Sequence, residues 1–391
     1  MNEPAPPHGS ARRCTTPATA STGTCKTRHS IGCRHSGSPA PPHRPDDRRT
    51  TMTDPHVDTH LRWGILAPGG IAEDFAGDLV SNGRQLTAVA SRSLDRAASF
   101  AQRYDIPTAL GTYAELARRE DVDVVYIASP HAFHAEHAIM MLEGGKHVLI
   151  EKPLALNAAQ VRRVHATAQQ HGRFVMEAMR TRFMPHTRRM HELIAAGALG
   201  DVRFLLSDHF QSLDSTPEGR LWNPELGGGA LLDLGIYNLS FTVDFLGLPS
   251  EINALARMTP TGVDVETAVQ MTHPDGAHST FGTGMAARGS NRAILIGTAG
   301  RFEVAGRFYD SGRMRLIDTS DRVVEDFDAQ FDHHGKLFEI EEVERCLVAG
   351  LTESPRMTMA ESADIHAAMD EIRSQIGLRY PGDAPPTQLT R

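Results

Sequence analysis

Between residues 61 and 178, short apolar runs alternate with stretches of helical periodicity, and no other feature of the chain limits its fold so tightly. The runs at 62–66, 86–90, 122–128, 147–150 and 174–178 read as strands. Residues 71–81, 94–104, 134–143 and 158–171 between them read as helices, the second with Ser93 as its cap. The run Val122-Asp-Val-Val-Tyr-Ile-Ala128 is almost wholly apolar, as a strand covered on both faces should be. Strands separated by helices are joined by crossovers, which makes the sheet parallel. The expectation is an α/β chain that starts with a doubly wound parallel sheet.

After about residue 180 the pattern changes. A helix at 185–196, a strand at 202–208 and a helix at 229–245 lead into successive strand-like runs at 252–256, 266–272, 280–286, 293–297, 301–305 and 314–318. Strands in succession without helices predict a C-terminal α+β domain with a large open-faced mixed sheet. Helices return at 336–349 and 362–376, before a polar, Pro-rich tail. The resulting division is a disordered leader at 1–57, a dinucleotide-binding domain at 58–179, and a substrate and oligomerisation domain at 180–380. The last helices are placed to pack back on the first domain, and residues 381–391 form the tail. No internal repeat is visible.

With 391 residues and 40% hydrophobic composition, the chain can bury a core in each of two domains. No run reaches the roughly 18 consecutive apolar residues of a membrane helix, and the N-terminus has no apolar segment of the signal-peptide kind. A cytoplasmic protein is expected. Residues 1–51 hold eight Arg or Lys against three Asp or Glu, so the formal charge of −8 divides into +5 there and −13 in the remainder. A folded part that acidic argues against nucleic acid as a partner. Cys14, Cys25 and Cys33 fall in the leader among His8, His29, His35 and His43, but without paired spacing or the large apolar residues that fold around zinc. No metal is expected, and Cys346 reads as a core thiol. Met52 offers a second beginning, so the upstream segment reads as a leader or as a start set too early.

The turn Gly64-Ile-Leu-Ala67-Pro68-Gly69-Gly70-Ile71-Ala72 follows a strand and opens a helix, where backbone N–H groups can hold a pyrophosphate. Ala67 stands where the fingerprint has its first glycine; Ala67, Gly69, Gly70 and Ile71 are the candidates, and a plain loop is the alternative. At the end of the next strand, where an NAD site has an acid for the ribose 2′-hydroxyl, this chain has Ser91-Arg92-Ser93, with Arg96 a helical turn on. Guanidiniums there suit a 2′-phosphate, which favours NADP, with NAD possible; a solvated Arg is the bland alternative.

Glu151-Lys152-Pro153 closes the apolar run 147–150, and a lysine at the C-terminal edge of a parallel sheet sits beside the ligand crevice. Further on, Gly227-Gly-Gly-Ala-Leu-Leu-Asp-Leu-Gly-Ile-Tyr237 places Asp233 and Tyr237 four apart, on one face of a helix. Oxidising an alcohol needs a base for the hydroxyl proton, and a tyrosine beside an ammonium suits that task. Lys152 and Tyr237 are the natural acid/base pair, with Asp233 orienting the substrate or Lys152. The bland alternative makes Tyr237 a core aromatic and Asp233 a helix-start charge.

Taken together, these residues resemble the glucose–fructose oxidoreductase and inositol dehydrogenase family from about Leu61 to Pro381. Glu177-Ala-Met-Arg-Thr-Arg-Phe-Met-Pro185, the Gly228–Tyr237 stretch and the late Ser354-Pro355 look closest to its dimeric dihydrodiol dehydrogenases and NADP-dependent D-xylose 1-dehydrogenases. The resemblance implies a Rossmann domain, an open-faced sheet that makes a homodimer or larger homo-oligomer, and a Lys-Pro bond that is often cis. It further implies that Lys152 and Tyr237 are catalytic and that Ser129, Pro130, His131, His134 and Glu151 border the cofactor. Glu177, Arg180, Arg182 and Phe183 are the substrate-binding candidates by the same analogy. Arg180 departs from that branch, which has a tryptophan there; the cation either favours an acidic or more polar substrate or forms a salt bridge with Glu177 or another carboxylate. The expected activity is NADP-dependent interconversion of a hydroxyl and a carbonyl on a sugar, polyol or trans-dihydrodiol. The alternatives are a non-catalytic dinucleotide-binding sensor of the same fold and an enzyme that keeps its cofactor bound as a redox pivot.

Overall fold

The computed structural model describes residues 61–383, apart from 214, 215, 311 and 332. The leader at 1–57, its three cysteines and residues 384–391 of the tail lie outside the described residues. The elements in chain order are β1 (Arg62–Leu66), α1 (Gly70–Ser81), β2 (Gln85–Ala90), α2 (Leu94–Arg103), β3 (Thr108–Leu110), α3 (Tyr113–Ala117), β4 (Val124–Ile127), α4 (His134–Glu143), β5 (His147–Glu151), α5 (Ala158–His171) and β6 (Val175–Ala178). Then follow α6 (Pro185–Ala195), β7 (Val202–Phe210), α7 (Ile236–Leu246), β8 (Glu251–Met258), β9 (Asp264–Thr272) and β10 (His278–Gly284). The remainder comprises β11 (Ala293–Gly297), β12 (Gly300–Val304), β13 (Arg313–Asp318), β14 (Val323–Asp328), α8 (Leu337–Val348) and α9 (Met359–Ile376).

The first sheet is parallel throughout, in the order β3-β2-β1-β4-β5-β6. Its strand order reverses between β1 and β4, which opens a crevice at their C-terminal ends. The four residues of β4 are all fully buried, as the apolar run requires. Caps match local sequence: Ser93 accepts from the Arg96 N–H at the start of α2, Asn157 from Gln160 N–H at α5, and Thr358 from Glu361 N–H at α9. Gly172 and Gly377, both with positive φ, end α5 and α9.

The second sheet has eight strands in the order β14-β13-β12-β11-β7-β10-β9-β8, mixed because β7 and β10 run parallel while the other pairs are antiparallel. On β7, Leu205, Ser207 and His209 are buried and Asn238 of α7 donates to the Ser207 hydroxyl, which marks the covered face. Phe204 and Leu206 alternate with them and pair across β11 with Ile296 and Ile294, on the opposite, open face.

Three differences from the sequence reading have physical causes. β3 and α3, of three and five residues, are too short to carry a periodic signal. β14 is a polar edge strand, Val323-Val-Glu-Asp-Phe-Asp328, whose side chains are mostly exposed. The expected regular helix at 229–245 is instead a π-helical turn, Leu231–Gly235, running into α7. There the Ile236 N–H reaches back five residues to the Leu231 carbonyl.

The end of the chain returns to its first half. α9 packs on α5 and on β8, and its side chains hold the loop after Lys152. Asp370 accepts from the Ala158 N–H, Arg373 donates to the Leu156 carbonyl, and the Ala155 N–H faces His366 Nε2. Cys346 is a buried free thiol on α8, and burial pushes it up to about 12.

Candidate active site

A cleft of about 1610 Å³ opens at the C-terminal ends of β1, β2, β4 and β5 and is bordered across the opening by residues 209–213, by Asp233, Leu234 and Tyr237, by Arg307, Tyr309 and Asp310, and by Phe331, His333 and His334. Small-ligand pockets are usually about 300–1,000 Å³, so there is room for a dinucleotide and a second molecule.

At one end the chain leaves β1 through Ala67, whose φ of 67° lies in the left-handed region that glycine adopts without steric cost. α1 then begins after Gly69 with no side-chain cap. First-turn N–H groups are therefore left for a ligand, and a Cβ placed on Gly69 or Gly70 would meet nothing within 4 Å. Open donors at the positive end of a 12-residue helix suit a pyrophosphate. Beyond β2, the buried Ser91 and the exposed Arg92 and Arg96 share a wall with Ser93 and Tyr113. Two guanidiniums among three hydroxyls fit a phosphate such as the 2′-phosphate of NADP. Pro68 and Ile71 complete this end.

The middle of the cleft is a network around Asp233. Lys152, which follows β5 and precedes a cis peptide bond to Pro153, donates to the Asp233 carbonyl at 2.6 Å and lies 3.3 Å from its carboxylate. Its Nζ stands 4.9 Å from the centre of the Tyr237 ring. Arg220 reaches the same carboxylate oxygen at 3.2 Å, and His131 Nε2 lies 3.4 Å from it. Burial alone would raise the Asp233 carboxyl, but the Lys152 and Arg220 cations beside it hold it well below the usual carboxylate range. Burial keeps His131 neutral, with Nδ1 donating to the Gly227 carbonyl at 2.9 Å and Nε2 accepting from Arg220 at 3.2 Å. His134 is pushed down to about 3 by burial; it faces the carbonyls of Pro153 and Ser129, of which the neutral ring can donate to one. Ser129 and Pro130 line the same wall.

Glu151 is buried behind Lys152, where Lys336 and the Tyr126 hydroxyl contact its carboxylate. Lys336 also pairs with Glu339 at 2.9 Å. Burial opposes the charge on Lys336, yet Glu151 and Glu339 raise its pKa, so the ammonium is retained.

Tyr237 is buried except toward the cleft, and its hydroxyl makes no hydrogen bond with another described residue. Its ring lies 5.3 Å from Tyr309 and 5.5 Å from His209. Burial and Lys152 push His209 down to about 3; Nδ1 donates to the Leu234 carbonyl and Nε2 accepts from Gln211.

Of the four substrate candidates, the cleft contains Arg180 alone. Its guanidinium is bound to Asp310 at 3.2 Å and to the His334 carbonyl at 2.5 Å, so the salt bridge is made with Asp310 and not with Glu177. Glu177 is fully buried, accepting from the Leu154 N–H and the Ser362 hydroxyl. Arg182 is consumed by Ser240, Asp244 and Glu361, and Phe183 lies in the core. The loop before the glycines does shape the pocket, through Arg220 and Leu221. Sequence reasoning did not single out Tyr113, His209, Gln211, Tyr309, Arg288, Arg307 or Asp310. A histidine at an inward position of β7 was the one available signal among them.

The family model described as the oxidoreductase family, NAD-binding Rossmann fold, matches residues 61–179, and that of the GFO/IDH/MocA C-terminal domain matches residues 187–303. Trans-1,2-dihydrobenzene-1,2-diol dehydrogenase of Mus musculus is 37% identical over 334 residues, covering 83% of this chain and 99% of the relative. The protein of the same name from Homo sapiens is 36% identical over 336 residues, with coverage of 83% and 99%. A 3-ketoreductase from Actinomadura kijaniata, solved with NADP and TDP-benzene, superposes with a TM-score of 0.73 at 26% identity, over 81% of this chain and 98% of that one. An uncapped helix start on a parallel sheet and this likeness along both halves lead to one conclusion: the chain belongs to the GFO/IDH/MocA oxidoreductase family.

Proposed function

We propose that the protein is an NADP(H)-dependent oxidoreductase that interconverts a hydroxyl and a carbonyl on a sugar, polyol or trans-dihydrodiol. The observation that carries this reading is the meeting of Lys152, Asp233 and Tyr237 in the cleft that also holds the open start of α1 and the Arg92 and Arg96 guanidiniums. The relatives named for dihydrodiol dehydrogenation and the ketoreductase solved with NADP support the substrate class and the cofactor.

When bound, NADP(H) supplies the hydride acceptor or donor. In the oxidising direction Tyr237 acts as the phenolate, whose oxygen takes the proton from the substrate hydroxyl to become the neutral phenol, while the carbon gives up its hydride; in reduction the phenol returns that proton to the carbonyl oxygen. Lys152 holds a positive charge against the Tyr237 ring, and Asp233 fixes Lys152 through a main-chain and a carboxylate oxygen. Gly69, Gly70, Ser91, Arg92 and Arg96 would hold the phosphates, with Ser129, Pro130, His131 and His134 along the wall nearest Lys152.

The test is fluorescence titration of the purified chain with NADPH and NADH, then turnover of pentoses, polyols and dihydrodiols. Tight NADPH binding with turnover of one of these classes is expected, and failure to bind either nucleotide would end the enzyme reading. A homodimer through the open face of the eight-stranded sheet belongs to the same proposal, since Phe204, Leu206, Ile294, Ile296 and the 80% exposed Leu255 project from its strands. Light scattering would detect it. A cytoplasmic location goes with the use of NADP(H).

A further inference from the structure

The substrate end of the cleft carries a surplus of positive charge. Among the described residues, Lys152, Arg180, Arg220, Arg288 and Arg307 line it, facing two carboxylates, Asp233 and Asp310. Glu151 and Glu339 share Lys336 behind the site, and Asp74 lies on α1 at the nucleotide end. Asp233 is shared between Lys152 at 3.3 Å and Arg220 at 3.2 Å. Asp310 is likewise shared between Arg180 at 3.2 Å and Arg307 at 3.0 Å. Arg288, in the loop after β10, has no carboxylate partner among the described residues.

Each of these two carboxylates thus balances one of two cations, and Arg288 adds a third charge with no counter-charge among the described residues. The chain around them is acidic, at −8 overall and −13 beyond residue 51, so this concentration of one sign runs against the background. The cofactor does not account for it. Its 2′-phosphate has Arg92 and Arg96, and its pyrophosphate the start of α1, all in the parallel-sheet half. Arg288 and Arg307 come from the other half, the latter two residues before Tyr309, whose ring lies 5.3 Å from Tyr237. Both are exposed in the open cleft, where a guanidinium fork can meet a ligand without displacing protein.

Resting on the hydroxyl–carbonyl reading above, we infer that the substrate carries an anionic group, a carboxylate or a phosphate, and that Arg288 and Arg307 receive it. The reacting hydroxyl then lies at Tyr237 and the anion toward the mouth of the cleft. A neutral pentose or diol would leave that charge to solvent.

The test is steady-state turnover by the full chain with NADP⁺, comparing D-glucuronate and D-glucose 6-phosphate with D-glucose, after NADPH binding has been measured. At least one anionic sugar should exceed D-glucose in kcat/KM by tenfold or more, and which one does so separates carboxylate from phosphate. Arg288→Ala and Arg307→Ala should each raise KM for that sugar roughly 10- to 100-fold, the range for a hydrogen bond to a charged group, and Arg307→Lys should recover part of the loss. The inference is overturned if D-glucose or a neutral diol is preferred, if the variants leave KM unchanged, or if neither anion is turned over. Loss of NADPH binding would instead strike the underlying oxidoreductase reading.

Discussion

Lys152 is held by the backbone of Asp233 more closely than by its carboxylate, at 2.6 Å against 3.3 Å. The Asp233→Asn variant keeps the main-chain acceptor and removes the charge, so Lys152 should stay in place. We expect Asp233→Asn to lower kcat about tenfold and Lys152→Met to lower it by roughly 10²-fold or more, the usual size of a lost acid/base contribution. Steady-state kinetics on one substrate decide the order; equal losses would mean that the carboxylate, not the carbonyl, positions the lysine.

Arg92 follows the buried Ser91 in the wall that ends β2. Replacing it with alanine should cut the preference for NADPH over NADH by tenfold or more, because a guanidinium on a phosphate is a charge-assisted contact that NADH cannot use. Titration of both nucleotides against wild type and Arg92→Ala reads this directly. An unchanged ratio would move the 2′-phosphate elsewhere.

Asp264 is buried and pushed up to about 6 by desolvation, although Thr267 and the Leu231 N–H both donate to it. A carboxyl whose folded value exceeds its unfolded value of about 3.9 contributes stability below about pH 4, and that contribution is lost as pH rises toward 6. The Asp264→Asn variant keeps an acceptor for Leu231 and cannot ionise. The stability difference between Asp264→Asn and wild type should therefore shift in favour of the variant between pH 4 and 6. Urea melts at half-unit intervals would show it, and a constant difference would refute it.

Asp78 is 1% exposed and accepts from the N–H groups of His334, Lys336 and Leu337 at 2.9, 2.8 and 3.3 Å. It caps α8 from a separate helix, α1, and so ties the segment with Phe331, His333 and His334 to the cleft. Asp78→Ala should cost about 2–4 kcal/mol, since it strands several buried donors, and should weaken NADPH binding. Chemical denaturation and nucleotide titration test the two halves of that statement.

The parallel sheet was legible because β1, β2, β4, β5 and β6 each carry an apolar run bounded by helical patterns. Lys152 was legible because a lysine at the end of such a run is out of place unless it faces a crevice. Glu177 and Arg182 were not, for a sequence names a charged group without saying which distant group claims it. Ser362, 185 residues away, takes Glu177, while Ser240 and Asp244, 58 and 62 residues on, take Arg182. The π-turn escaped for a related reason. Leu231-Leu-Asp-Leu-Gly235 has ordinary helical composition, and its irregular backbone coincides with the side chains of Lys152 and His209, which bind the Asp233 and Leu234 carbonyls.

The clasp between α9 and the loop after Lys152 also sets an order in time. Leu154 is held by Glu177, which Ser362 braces, while Ala155, Leu156 and Ala158 are held by His366, Arg373 and Asp370. During synthesis the lysine emerges some two hundred residues before the helix that braces its loop. A nascent chain can therefore complete its parallel sheet early while the loop after Lys152 still lacks its brace.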